Sequence, residues 1–299
     1  MRKSSNFWMI LGFLLLLPLA AHAQEFTLFT MCPPRSIDWS SPRSMAFGAL
    51  TNNLTFYHRD HKHAIGHVFV ELKNGEERIM AGSTPANGGT SDSDLIFKEK
   101  LGLGILFYPF QGRIETAADL DKQVQDRYKT GRIAFIRFLV SPEMYQRLKA
   151  YWSEYNERGY GAIYNGTNEP RKGLGAGCSI YGVSYLEIAG FLHPIWQQKW
   201  KLAVKIPESL IGDAKKGKKV PITKLLTFGR WAKDGEASRL LELYDPDLIY
   251  KWINGTYKKE APNPSGKVTL LKRGKALGLQ YDCRHVPVPT EPLFLVDHP

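Results

Sequence analysis

The sequence predicts an α+β protein in which an antiparallel sheet packs on a helix that carries a cysteine. Three observations predict it. IGHVFVELKNGEERIMAG reads as two strands joined through Asn74-Gly75, a β-hairpin. GLGAGCSIYGVSYLEIAGF places Cys178 at the first turn of a largely apolar helix that Gly190 ends. GILFYPF and RIAFIRFLV read as further strands on either side of the amphipathic stretch ETAADLDKQVQDRYKTG, and no internal repeat or low-complexity tract points to a solenoid.

Residues 1–23 contain two basic residues, an apolar run from Trp8 to Leu19, and Ala21-His22-Ala23 before Gln24, the pattern of a signal peptide and its cleavage site. No cysteine follows the run closely enough for a lipoprotein anchor, and no later run approaches the ~18–20 apolar residues of a membrane span. The expectation is an exported, soluble chain, periplasmic or secreted. Residues 24–64 read as an irregular N-terminal extension with one short strand candidate, EFTLFT. Residues 65–206 carry the expected core. It comprises the hairpin, the loop GSTPANGGTSDSD, the two further strands, a helix starting near Thr116 and a helix from Pro142 to about Glu157 capped by Ser141. The loop GYGAIYNGTNEPRKGLGAG then leads to Cys178, and WKLAVKIP supplies another strand. Residues 207–299 are expected as an elaboration packed on that core, helical around SRLLELYDPDLIYKWING and with one strand candidate in KVTLLKR. Trp196, Trp200, Trp231 and Trp252 read as core, and Asn53, Asn165 and Asn254 as turn residues rather than glycosylation sites.

The formal net charge of +11 favours anionic surroundings. Export argues against nucleic acid as the partner, and Lys215-Lys216-Gly217-Lys218-Lys219 reads as a solvated loop. Three cysteines leave at least one without an intramolecular partner. Cys32 and Cys283, near the two ends of the mature chain, are candidates to pair in an oxidising compartment, which leaves Cys178 as the free thiol.

At a helix start, unpaired N–H groups and the positive end of the helix dipole stabilise a thiolate and the oxyanion of an acyl-transfer intermediate. Packing is the competing explanation, because cysteine is often buried for volume alone. A catalytic thiolate needs a partner, normally histidine. Among eight histidines only His67 enters a strand, directly after a glycine, sharing a face with Phe69 and Glu71. In the cluster His58, His61, His63 and His67, the last three could converge, which also permits a metal reading. Their spacing matches no standard zinc signature and no carboxylate pair accompanies them, so no metal or other cofactor is expected.

YGAIYNGTNEPRKGLGAGCSIYGVSYL resembles the cysteine motif of the NlpC/P60 superfamily of papain-like hydrolases, and IGHVFVELKNGEERIMAG resembles its histidine hairpin. Histidine precedes cysteine here, as in the circularly permuted branch of that superfamily. The resemblance covers about Gly66 to Phe191. It implies a papain-like core with Cys178 as nucleophile, His67 as general base and later acid, and Tyr164 lining the site near the oxyanion hole. The superfamily's third, polar residue follows on the strand after the hairpin turn, where this chain has Ile79 and Met80. Glu71 and Ser83 are the candidate substitutes. Gly177 and Ser179 are expected to bind substrate, the glycines letting a carbonyl group approach the backbone at Cys178. The implied activity is cleavage of a cell-wall peptide amide or a lipid acyl group, with an anionic envelope component or a membrane surface as the partner. The alternative is a decayed site in a non-enzymatic envelope-binding protein.

Overall fold

The computed structural model describes residues 24–54, 63–86 and 92–296. The expected signal peptide, His58 and His61 lie outside the described residues. The chain runs through β1 (Gln24–Met31), α1 (Pro42–Leu54), β2 (His67–Asn74), β3 (Glu77–Pro85), α2 (Asp92–Phe97) and β4 (Phe110–Glu115). It continues through α3 (Ala117–Thr130), β5 (Ile133–Val140), α4 (Pro142–Glu157), β6 (Ile163–Tyr164), α5 (Cys178–Ile188), α6 (Pro194–Trp200) and β7 (Lys201–Pro207). The last elements are α7 (Ile222–Thr227), β8 (Ser238–Tyr244), α8 (Pro246–Glu260), β9 (Thr269–Arg273) and β10 (Ala276–Asp282). The fold is mixed α+β. Eight strands form one sheet in the order β6-β4-β3-β2-β1-β5-β10-β9, antiparallel except where β10 runs parallel to β5. Strands β7 and β8 pair separately. Among the described residues, no helix is long and apolar enough to cross a membrane.

Local chemistry accounts for the best-predicted elements. Asn74 pairs with Glu77 across a two-residue loop, and Gly75 takes its first position with φ +59°, a backbone region open to glycine. Thr116 and Asp119 form the capping box that starts α3. The Ser141 hydroxyl accepts the Met144 N–H at 3.2 Å, with Pro142 next in line, so α4 starts where the sequence places it.

Alternation along the sheet divides its side chains between two layers. Phe26, Leu28, Val68, Val70, Ala134 and Ile136 face a core shared with α4, α5 and α8. Phe29, Met31, Phe69 and Phe135 face Leu120 and Val124 of α3 on the other side. Helix α5 lies over β2 and β3 and is buried nearly all round. Its inner polar atoms are paired: Tyr151 and Ser184 hydroxyls at 2.9 Å, Tyr181 and Tyr185 hydroxyls at 2.8 Å. Trp196 and Trp200 are buried, stacked on each other at 4.9 Å with the Trp252 ring edge-on to both, as expected of core residues.

Five expectations are corrected. The described part of 24–64 is not an irregular extension: EFTLFT lies in β1, a central strand paired along its length with both β2 and β5, and Pro42–Leu54 is helical. The C-terminal stretch is more than an addition packed on the core, because β9 and β10 extend the main sheet. GILFYPF is not a strand; Leu103–Phe107 is a short 3-10 helix, and β4 begins only at Phe110. SRLLELYDPDLIYKWING is split between β8 and α8, because Asp245 caps a new helix by accepting the N–H groups of Asp247 and Leu248. Asn53 and Asn254 lie in helices, where they donate to the carbonyls of Ala49 and Tyr250, while Asn165 does occupy a turn.

The packing of α5 on the sheet depends on Gly182. A Cβ there would lie 2.6 Å from Val68 Cγ1 and 3.2 Å from Leu28 Cδ1, both in the core. Gly255 in α8 has nothing within 4 Å of its Cβ position. Gly255→Ala is expected to raise unfolding free energy by up to about 1 kcal/mol through helix propensity. Gly182→Ala is expected to lower it, because overpacking costs about 1–3 kcal/mol and outweighs the same propensity gain. Urea denaturation of the two variants checks the opposite signs.

Candidate active site

Cys178 is the first residue of α5, with Gly177 as N-cap, and only 4 % of it is exposed. The N–H groups of the first helical turn have no partner within the helix. The approach loop is clamped on both sides. Gly177 N–H donates to Asn165 O at 2.6 Å, Ser83 Oγ donates to Ala176 O at 2.5 Å, and Asn168 Nδ2 donates to Gly175 O at 2.7 Å. The glycines serve this clamp. A Cβ on Gly175 would lie 2.1 Å from Ile163 O, and one on Gly177 would lie 2.8 Å from Gly166 Cα. They pack closely against the 163–166 segment, and the Gly177 N–H is already used.

His67 opens β2 beside the head of α5, close enough to the Cys178 thiol for each group to shift the other's proton affinity. Its Nε2 lies 2.6 Å from Glu115 Oε2, in an ion pair whose side chains are 2 % and 3 % exposed. With Nε2 engaged, Nδ1 is the nitrogen left for sulfur. Glu115 is the last residue of β4, two strands away from β2, roughly 9.5 Å at the usual strand spacing. Gly82 of β3 stands between them, opposite Glu115 on one side and Phe69 on the other. Because Gly82 has no side chain, the carboxylate and the imidazole meet over its backbone. A Cβ there would lie 2.7 Å from Glu115 Oε2 and 3.0 Å from His67 Nε2.

The electrostatics follow from this line of three groups. Burial works against a charged His67, but the Glu115 carboxylate, together with the hydrogen bond and charge of Cys178, outweighs it and raises the imidazole's proton affinity. Burial likewise works against a Cys178 thiolate. The hydrogen bond and charge of His67, the Val68 N–H and the Ser179 hydroxyl overcome it and lower the thiol pKa. The other two cysteines go the opposite way: burial raises Cys32, and burial with the nearby Asp282 raises Cys283 to about 11. Of the three, only Cys178 is shifted toward the thiolate.

The remaining predicted site residues fall into two groups. Tyr164 and Ser179 join the thiol, the Tyr164 hydroxyl donating to Sγ at 3.9 Å and Ser179 Oγ lying 3.8 Å from it. Ser179 thus lies against the sulfur. Glu71 and Ser83 do not orient His67. Glu71 shares its face but lies four residues along the strand, roughly 13 Å away, and pairs with Arg78 at 2.5 Å. Ser83 holds the carbonyl of Ala176. Sequence reasoning missed Glu115, Gly82 and Asn165. Asn165 links the clamp to Phe107 O through its Nδ2 at 3.0 Å.

The expected link between Cys32 and Cys283 is absent, and both are free thiols. Cys32 lies beside Arg132 at one end of β5 and Cys283 beside Leu139 at the other. That separation is roughly 23 Å along the strand, far beyond the ~7 Å Cα limit of a disulfide. His63, His67 and Glu115 present ligand atoms within 4.8 Å of one another. The two imidazoles are stacked, with planes 4° apart and centroids at 3.9 Å. Their in-plane lone pairs cannot meet at one ion with Zn–N bonds of about 2.0–2.1 Å, so this arrangement does not fit a metal.

Compared with known proteins, the chain matches no family model, no curated protein and no solved structure. The reading of the site therefore rests on its own geometry.

Because Glu115 helps to keep His67 charged, Glu115→Gln is expected to move the pH midpoint of Cys178 alkylation upward, toward the free-thiol value of about 8.5. The sign follows from charge. A neutral amide no longer raises His67, the imidazole loses its proton at lower pH, and the thiolate loses its counter-ion. Gly82→Ala is expected to act in the same direction by forcing the carboxylate and imidazole apart. Peptide mass spectrometry of iodoacetamide-treated protein across pH reads both shifts.

Proposed function

We propose that the protein is a cysteine hydrolase that cleaves an amide or ester bond through an acyl-enzyme on Cys178. One observation carries the reading: His67 is held between the Cys178 thiol and the Glu115 carboxylate at the N-terminus of α5. The thiolate attacks the carbonyl carbon, and the oxyanion develops beside the free N–H groups of the first turn of α5. The His67 imidazolium gives its proton to the leaving amine or alcohol as the tetrahedral intermediate collapses to a thioester. His67, now neutral, takes a proton from water as that water attacks the thioester. The carboxylic acid leaves, and the thiolate and imidazolium are restored.

The same reading makes the core a permuted papain-like one, with β2 and β3 as the histidine hairpin and α5 as the cysteine helix. The order of β2 before α5 and the packing of α5 on β2 and β3 support it. Glu115 in the orienting position supports a hydrolase over a non-enzymatic binding protein. We further infer that the protein acts in the periplasm or outside the cell after loss of residues 1–23, where its basic surface suits an anionic envelope. The substrate is then a cell-wall peptide or a lipid acyl group.

Purified cell-wall material and ester-linked lipid are the substrates to offer. Cys178→Ala is expected to abolish turnover, and His67→Gln to lower kcat/KM by about 10²-fold or more, the scale of general acid–base catalysis. Turnover that survives Cys178→Ala would sink the proposal.

A further inference from the structure

His63 stands outside the line of Cys178, His67 and Glu115, yet it lies flat against the middle member. The ring centroids of His63 and His67 are 3.9 Å apart and the planes 4° from parallel. Phe69 meets His67 more loosely, at 6.0 Å and 23°. The segment 63–66 that carries His63 is anchored. Asn52, fully buried in α1, donates through Nδ2 to Ala64 O at 2.9 Å and to Arg35 O at 2.8 Å, and it accepts the Arg35 N–H at 3.1 Å. Gly66 N–H donates to His63 O at 3.2 Å. Gly66 takes φ +88° so close to its neighbours that a Cβ would lie 2.8 Å from both Met31 O and Pro246 Cβ.

This anchoring answers a need of the site. The terminal torsion of histidine has a broad profile, so covalent geometry alone does not fix the plane of the His67 ring. Reaching sulfur with one nitrogen and carboxylate with the other requires a single plane. A flat ring in van der Waals contact blocks rotation out of it.

We propose that His63 is a positioning residue, its ring face holding the imidazole of His67 in the plane that joins Cys178 to Glu115. The inference rests on Cys178 and His67 being the reacting pair. It assigns the effect to the flat face of His63 rather than to a proton it carries. Phenylalanine should therefore replace it, whereas leucine, which fills space without a planar face, should not. Among the described residues, the ionisable groups around His67 are Cys178 from α5, Glu115 from β4 and His63 itself, with Tyr164 of β6 on the sulfur.

The test is the pH dependence of Cys178 modification by iodoacetamide in the full chain, read by peptide mass spectrometry for wild type, His63→Phe and His63→Leu. Wild type and His63→Phe are expected to share a midpoint well below the ordinary thiol value of about 8.5. His63→Leu is expected to titrate about one unit higher and to react about tenfold more slowly on the acid side. A His63→Leu protein that titrates like wild type overturns the inference, as does a His63→Phe protein shifted as far as His63→Leu. An ordinary midpoint in wild type overturns the hydrolase reading itself. A separate measurement then judges the stack without any variant: the His67 ring protons of the wild-type protein are expected to be shifted upfield in the NMR spectrum by the His63 ring. Ring-proton shifts at unstructured values overturn it.

Discussion

The buried pair between His67 and Glu115 is the constraint around which the site is arranged. Taking a carboxylate and an imidazolium out of water costs several kcal/mol for each ion unless they are paired and further satisfied. Here the two meet at 2.6 Å, and the histidine has the Cys178 sulfur as its other partner. Thiol, imidazole and carboxylate therefore act as one unit, each group setting the electrostatic surroundings of the next. The pair also requires a gap in the intervening strand, which Gly82 provides.

Around this unit the fold supplies rigidity from several directions. Strand β2 fixes where His67 starts, since it is paired with β1 on one side and β3 on the other. Helix α5 fixes Cys178, because Gly182 lets it settle on Val68 and the carbonyls before it are held by Ser83 and Asn168. Residues on well-packed elements with their own hydrogen-bond support hold a reacting geometry better than residues on a free loop. The contrast among the three cysteines shows what that support does. Burial is the largest cause raising the thiols of Cys32 and Cys283, whereas at Cys178 the same burial is outweighed by the hydrogen bond and charge of His67 together with smaller contributions.

The basic surface and the line of three groups belong to different scales of electrostatics. The net charge of +11 acts at long range, through salt-screened attraction to anionic surroundings. Within the site the groups are nearly or wholly removed from solvent, so their mutual effect is little screened and depends on ångström-scale placement. A change in surface lysines would alter encounter with an envelope polymer, while a change at Gly82 would alter the thiol itself.

Much of this was written in local sequence. The period-two hairpin ending in a glycine turn, the capping residues of α3 and α4, and the cysteine at the head of an apolar helix each depend on neighbours a few residues away. Cys178 and His67 were legible for that reason, and Tyr164 only through the resemblance that its motif carries. Glu115 was not, since it sits just before a helix cap and behind a segment, GILFYPF, whose apolar run reads as a strand but is a 3-10 turn. Its role depends on the register of β4 against β3 and of β3 against β2, together with the missing side chain at Gly82. Glu71 failed as the substitute because alternation gives the face of a strand but not the distance along it. Cys32 and Cys283 failed as a pair because ends that are exchangeable on paper lie at opposite ends of β5. Sequence by itself determined which groups are chemically competent and the local elements that carry them. Tertiary structure alone decided which of them meet, because contacts across strands are set by register and by the space that absent atoms leave.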